Sequence, residues 1–211
     1  PGDSSSIDLL TRGEVDAMAE LPPHVVFFNA PEDPLALEQR MSRHDDAFPA
    51  AGTAADDVCL ISFTSGTTGV PKGTMHFHRD VLFICDCFPR HTLKCGENDI
   101  FIGTPPLAFT FGLGGLLLFP MRVGAAGVLL EKLTPETLLA AIEKHRATIC
   151  FTAPTFYRQM APLAANFDLG SLAKTVSAGE ALPLATREAW QAATGGRSGS
   201  EARFVPAAAG A

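Results

Sequence analysis

The chain has 211 residues, 46% hydrophobic and 18% charged, which is enough apolar material for a sizeable core and excludes intrinsic disorder for most of its length. A formal charge of -7 argues against a nucleic-acid binder that neutralises phosphates with clustered Lys and Arg. The acidity sits at the start: residues 1–57 hold twelve acids against three bases, net -9, and residues 58–211 hold eleven against thirteen, net +2.

In chain order, the opening Pro1-Gly-Asp-Ser-Ser-Ser lacks the basic start and apolar core of a secretory leader, and a polar lead-in runs to residue 20. Residues 25–28 read as a buried strand and 34–41 as a helix. A Gly/Ala/Asp stretch over 50–57 coincides with the charge shift and is the expected linker. Strands are then predicted over 58–63 and 73–78, and a helix over 80–90 capped by Asp80. Residues 100–104 read as a strand, 114–123 as a helix and 127–130 as a strand. Thr134-Pro135-Glu136 supplies a cap hydroxyl and a first-turn proline for a helix through 138–145. A strand over 147–152, a helix over 155–163, a strand over 175–177 and a helix over 184–193 complete the alternation. Short apolar strands between helices imply an α/β fold with largely parallel sheets flanked by helices. From Gly195 periodicity is lost, so 195–211 is expected to be disordered or foreign to the fold. The expected domains are therefore a leading segment 1–57, a core 58–194 and a tail 195–211.

Five cysteines, Cys59, Cys85, Cys87, Cys95 and Cys150, contain no C-x-x-C pair and fit reduced thiols in the cytoplasm. Cys85 and Cys87, with His91 and Cys95 nearby, read as thiols on an apolar helix and not as a metal site. His76 and His78, alternating on a predicted strand, would share a face, yet no third ligand is spaced to join them, and no metal site is expected. Residues 100–121 carry no charge and are long enough to span a bilayer, but Pro105, Pro106, Pro120 and the glycines at 112, 114 and 115 break such a helix, so no membrane span is expected.

The most specific segment is Thr64-Ser-Gly-Thr-Thr-Gly-Val-Pro-Lys-Gly73. Glycines free the backbone N–H groups to converge, hydroxyls donate and a lysine neutralises, which is the chemistry of a phosphate cradle. It is not a Walker loop: Pro71 stands where the second glycine is required, and Gly73 follows Lys72. Pro71 disfavours a helix at Val70, so the loop is predicted to join two strands.

This run resembles the phosphate loop of the acyl-adenylate-forming superfamily, and Met75-His-Phe-His-Arg-Asp80 with Pro105-Pro-Leu-Ala-Phe-Thr-Phe-Gly-Leu-Gly114 resembles its benzoate-CoA and 2-aminobenzoate-CoA ligases. The resemblance implies part of the large N-terminal domain of such an enzyme, with ATP, Mg2+, coenzyme A and an aromatic carboxylate as substrates. It implies phosphate contacts from Thr64, Ser65, Gly66, Thr67, Thr68, Gly69 and Lys72. Ala108, Phe109, Thr110, Phe111 and Gly112 stand where the family lines its acyl pocket, with Phe109 in the place of a gating histidine. Ser177-Ala-Gly-Glu-Ala-Leu-Pro183 is similar to the family's adenine segment, which gives Gly179, Glu180 and Ala181 that role. The family's C-terminal catalytic lysine has no counterpart here and the resemblance fades after Thr194, so an internal fragment, inactive alone, is expected and no catalytic residue is assigned. A non-catalytic nucleotide-binding or interaction module, and a ligase for another acid such as a fatty acid, are the alternatives.

Overall fold

Strands of four or so apolar residues separated by helices leave the backbone one good way to satisfy its hydrogen bonds while burying both faces, a parallel sheet between helical layers. The computed structural model describes residues 32, 36–45, 47, 49–64, 72–195 and 203–206. Two compact units divide the chain, Pro1–Thr53 and Ala54–Ala211. In the first, the short helix α1 (Leu37–Met41) follows the buried Ala36; the strand expected over 25–28 lies outside the described residues. Residues 54–57 go with the second unit for a local reason. Asp57 accepts the Ala54 N–H at 2.7 Å, and the carbonyls of Asp57 and Ala55 accept from His78 and Arg79.

The second unit begins with β1 (Val58–Thr64) and β2 (Lys72–Phe77), paired antiparallel with Ile61 opposite Met75 and Thr64 opposite Lys72. Helix α2 (His78–Cys87) follows directly. It starts two residues earlier than predicted because Asp80 works from inside the first turn, its carboxylate accepting the Phe77 N–H at 3.1 Å. His78 therefore stands on a helix and does not share a strand face with His76. A π-helical stretch, Phe88–Leu93, carries the chain around Pro89.

Among the described residues the main sheet has five parallel strands in the order β4-β3-β5-β6-β7: β3 (Ile100–Gly103), β4 (Ala126–Val128), β5 (Ile149–Thr152), β6 (Lys174–Ser177) and β7 (Arg203–Pro206). β3 reaches β4 through three successive helical pieces, Thr110–Gly112, Leu113–Leu118 and Phe119–Val123. Helix α3 (Pro135–His145) joins β4 to β5, α4 (Pro154–Met160) leads from β5 toward β6, and α5 (Leu184–Gly195) leads from β6 toward β7. The expected lack of structure after Gly195 does not hold for Arg203–Pro206, which pairs in register with Lys174–Ser177; the remaining tail residues lie outside those described.

Period-two alternation sends successive strand residues to opposite faces. Ile102 and Cys150 join Leu138, Ile142, Tyr157 and Trp190 on one face, while Phe101, Ile149, Phe151 and Val176 join Leu116 and Phe119 on the other. Each such fully buried aliphatic or aromatic side chain contributes about 2 kcal/mol. Among the described residues no helix is long and apolar enough to cross a membrane; the uncharged 100–121 stretch is β3, a loop and helix.

Candidate functional site

The strand order fixes where a ligand can enter. From β3 the chain turns toward β4, and from β5 it turns toward β6, in opposite directions across the sheet. Such a reversal leaves a crevice outside the carboxyl ends of the two strands, the usual ligand position of open α/β sheets. The segments that emerge there are Thr104–Phe109 after β3, Ala153–Thr155 after β5 and, one strand further, Ala178–Pro183 after β6.

Register places a row of hydroxyls at this rim. Phe101 pairs with Ile149 and Gly103 with Phe151 on one side of β5, and Thr152 pairs with Ser177 on the other. Thr104 follows in line: its N–H donates to Phe151 O at 3.0 Å, and its Oγ1 lies 2.5 Å from Oγ1 of the fully buried Thr152. Ser177 Oγ is enclosed and makes no hydrogen bond within the described residues. Strands can approach this closely at β3 because residue 103 is glycine; a Cβ there would come within 2.1 Å of Phe151 O.

Of the five residues expected to line an acid pocket, the structure separates two aromatic rings. Phe109 precedes the first helical turn and is 66% exposed at the rim. Phe111 packs inward, its ring 5.6 Å from that of Phe151. Thr110–Gly112 are helical, so only Ala108 and Phe109 belong to a loop. Gly112 lies against the backbone of Pro105 and Pro106, 2.1 Å from Pro106 O to an added Cβ, which holds the loop folded over the helix start.

The segment after β6 turns at Gly179, which has φ +91°, a conformation that favours glycine. Beside it, Glu180 Oε1 accepts from Thr155 Oγ1 at 2.9 Å and from Thr155 N at 3.3 Å. Gly179–Ala181 and Ala108–Phe109 thus follow the carboxyl ends of β6 and β3, two strands apart in the sheet. Beneath them the edge is tied to a helix. Tyr157 Oη sits 2.9 Å from Cys150 O and 3.1 Å from Val176 O, tying α4 to two strands. Burial drives the Tyr157 phenol well above its usual range and pushes the Cys150 thiol up to about 12.

Thr64 and Lys72 close the mouth of the predicted phosphate loop as a β pair, so the loop joins two antiparallel strands, as Pro71 required. Ser65, Gly66, Thr67, Thr68 and Gly69 lie outside the described residues; the Lys72 side chain is exposed. Among the described residues no three His, Cys, Asp or Glu side chains gather to hold a metal, and Cys85, Cys87 and Cys95 are free thiols. The hydroxyl row and Thr155 escaped sequence reasoning. Their only signal is that each hydroxyl ends or follows a strand, and it becomes meaningful once register aligns them.

The family model described as AMP-binding enzyme matches residues 10–202. The chain is 36% identical over 189 residues to the benzoate-CoA ligase of Thauera aromatica, covering 87% of this chain and 34% of that protein. It is 34% identical over 135 residues to the anthranilate-CoA ligase of Pseudomonas aeruginosa, covering 64% of this chain and 26% of that protein. The crystal structure of the anthranilate CoA ligase AuaEII in complex with anthranoyl-AMP superposes with a TM-score of 0.72 at 34% identity, over 82% of this chain and 33% of that one. The chain thus spans about a third of the length of the relatives it matches. With its parallel sheet and a match over nearly its whole length, the chain belongs to the AMP-binding enzyme family.

Proposed function

We propose that this chain supplies the ATP- and acid-binding part of an AMP-forming aromatic acid-CoA ligase, with residues 58–194 as the working core. The observation that carries the reading is the T-S-G-T-T-G-V-P-K-G segment between paired strands, in a chain similar to benzoate- and anthranilate-CoA ligases.

In this reaction an oxygen of the acid's carboxylate attacks the α-phosphorus of ATP, and pyrophosphate leaves with the electrons of the broken P–O bond. The coenzyme A thiolate then attacks the acyl carbon and expels AMP. Mg2+ arrives on the nucleotide phosphates as part of the substrate. A carboxylate is already nucleophilic, so this chain needs no general base. Its task is to position the reactants and to offset charge building on pyrophosphate. Thr64, Ser65, Thr67, Thr68 and Lys72, with the backbone of Gly66 and Gly69, hold the β- and γ-phosphates. Gly179, Glu180 and Ala181 border the adenine. Ala108–Gly112 border the acid, where the exposed ring of Phe109 offers an apolar face to an aromatic ring. We read the enzyme as cytoplasmic, a reading supported by five cysteines without a C-x-x-C pair and by the need for ATP and coenzyme A.

An enzyme completed to the relatives' length with the flanking parts of the Thauera aromatica ligase should exchange pyrophosphate into ATP with benzoate or 2-aminobenzoate. Exchange supported only by fatty acids would sink the aromatic assignment. The 211-residue chain alone should form no acyl-CoA, and measurable thioester from it would contradict the division of labour proposed here.

A further inference from the structure

We propose that Glu180 is a positioning residue, whose carboxylate anchors the turn after β6 to the start of α4 through Thr155. The inference rests on the nucleotide reading above, in which the backbone of residues 179–181 borders the adenine and leaves the Glu180 carboxylate to its own partner. Glu180 Oε1 accepts both the hydroxyl and the N–H of Thr155, at 2.9 and 3.3 Å. The two partners are 25 residues apart in sequence and belong to different strand-to-helix connections.

The turn needs such an anchor. Gly179 has φ +91°, and a Cβ placed there would meet no atom within 4 Å, so that side of the turn faces open space. The start of α4 is held firmly by contrast. Tyr157, fully buried, bonds the β5 and β6 carbonyls, and the N–H groups of Phe156 and Tyr157 both go to Ala153 O. Pro154 has no N–H, so the Thr155 N–H is the first donor of the helix, and Glu180 takes it. The carboxylate therefore ties a turn that is open on one side to a fixed helix, and a ligand on that turn meets a backbone already in position.

A group that touches the nucleotide and a group that holds the turn respond differently to substitution. AMP and tripolyphosphate binding to the chain would be measured by displacement of a fluorescent nucleotide for Glu180→Ala, Glu180→Gln, Thr155→Val and the Glu180→Ala/Thr155→Val double variant. Hydrogen exchange at the Thr155 amide would be followed in parallel. Glu180→Ala and Thr155→Val should each weaken AMP about fivefold, with the double variant no worse than the weaker single. Glu180→Gln keeps an acceptor oxygen and should bind within about twofold of wild type. Tripolyphosphate affinity should not change, and Thr155 exchange should accelerate in Glu180→Ala. Loss of AMP in Glu180→Ala with Thr155→Val unaffected, or additive losses in the double variant, would overturn the positioning role in favour of direct contact. A wild-type chain that binds neither ligand overturns the nucleotide reading and the role of Glu180 within it, while unchanged Thr155 exchange in Glu180→Ala overturns the anchor alone.

Discussion

Tyr157 is the single tyrosine of the chain and is fully buried between α4 and the sheet, which makes its ionisation a direct reporter of the site's foundation. Burial raises its phenol well above the ordinary value near 10. The folded chain should therefore show no phenolate absorbance at 295 nm as pH passes about 10, whereas the denatured chain should titrate there. A folded-state midpoint near 10 would contradict the placement of that hydroxyl. The Cys150 thiol, pushed up to about 12 by burial, acts in the same direction. Both groups keep their proton in the folded state and lose it more readily when unfolded. Their contribution to stability is thus complete below pH 9 and falls as pH climbs from about 9 toward 12. Denaturant melts across that range check the sign. Gly112→Ala tests the rim at the same scale. Its Cβ would press to 2.1 Å of a backbone oxygen that cannot swing away, so a loss of about 3 kcal/mol or more is expected in urea melts.

At the scale of elements, the clearest test is the start of α3. Thr134 Oγ1 accepts the Thr137 N–H at 3.2 Å, and Thr137 Oγ1 accepts the Thr134 N–H at 2.8 Å. Thr134→Ala should cost about 1 kcal/mol, read from the fluorescence of the single, buried Trp190 during unfolding. A melt unchanged from wild type would show that the cap is idle. This start was legible because capping chemistry is local in sequence. The start of α2 was misread for the complementary reason: Asp80 serves Phe77 from within the helix, and a residue that reaches backward looks in sequence like one that stands in front. The helix after β3 also begins four residues earlier than its pattern indicated, since the loop-like Thr110–Gly112 are helical. The rim hydroxyls Thr104, Thr152 and Ser177 were illegible because they lie in three distant segments and meet only through strand register.

Across the whole molecule, alternating apolar strands and helices were enough to read a parallel α/β sheet, and two apolar faces per strand explain why helices cover both sides. Strand order was beyond reach from sequence, since nothing in β4 states that the chain must cross back over β3 to lay down β5. That crossing creates the reversal at which the Phe109 and Gly179 segments meet one edge. Isolated apolar pairs such as Phe204-Val205 carry too little pattern to announce an edge strand, and here they pair in register with β6. The central claim is that aromatic acid activation by adenylation takes place at this edge. It is tested most directly by supplying benzoate labelled with 18O in its carboxylate, together with ATP and coenzyme A, to the enzyme completed to the relatives' length. One labelled oxygen should appear in the AMP released, because the attacking carboxylate oxygen stays on phosphorus when the thiolate displaces it from carbon. Unlabelled AMP, or ADP in its place, would contradict the account.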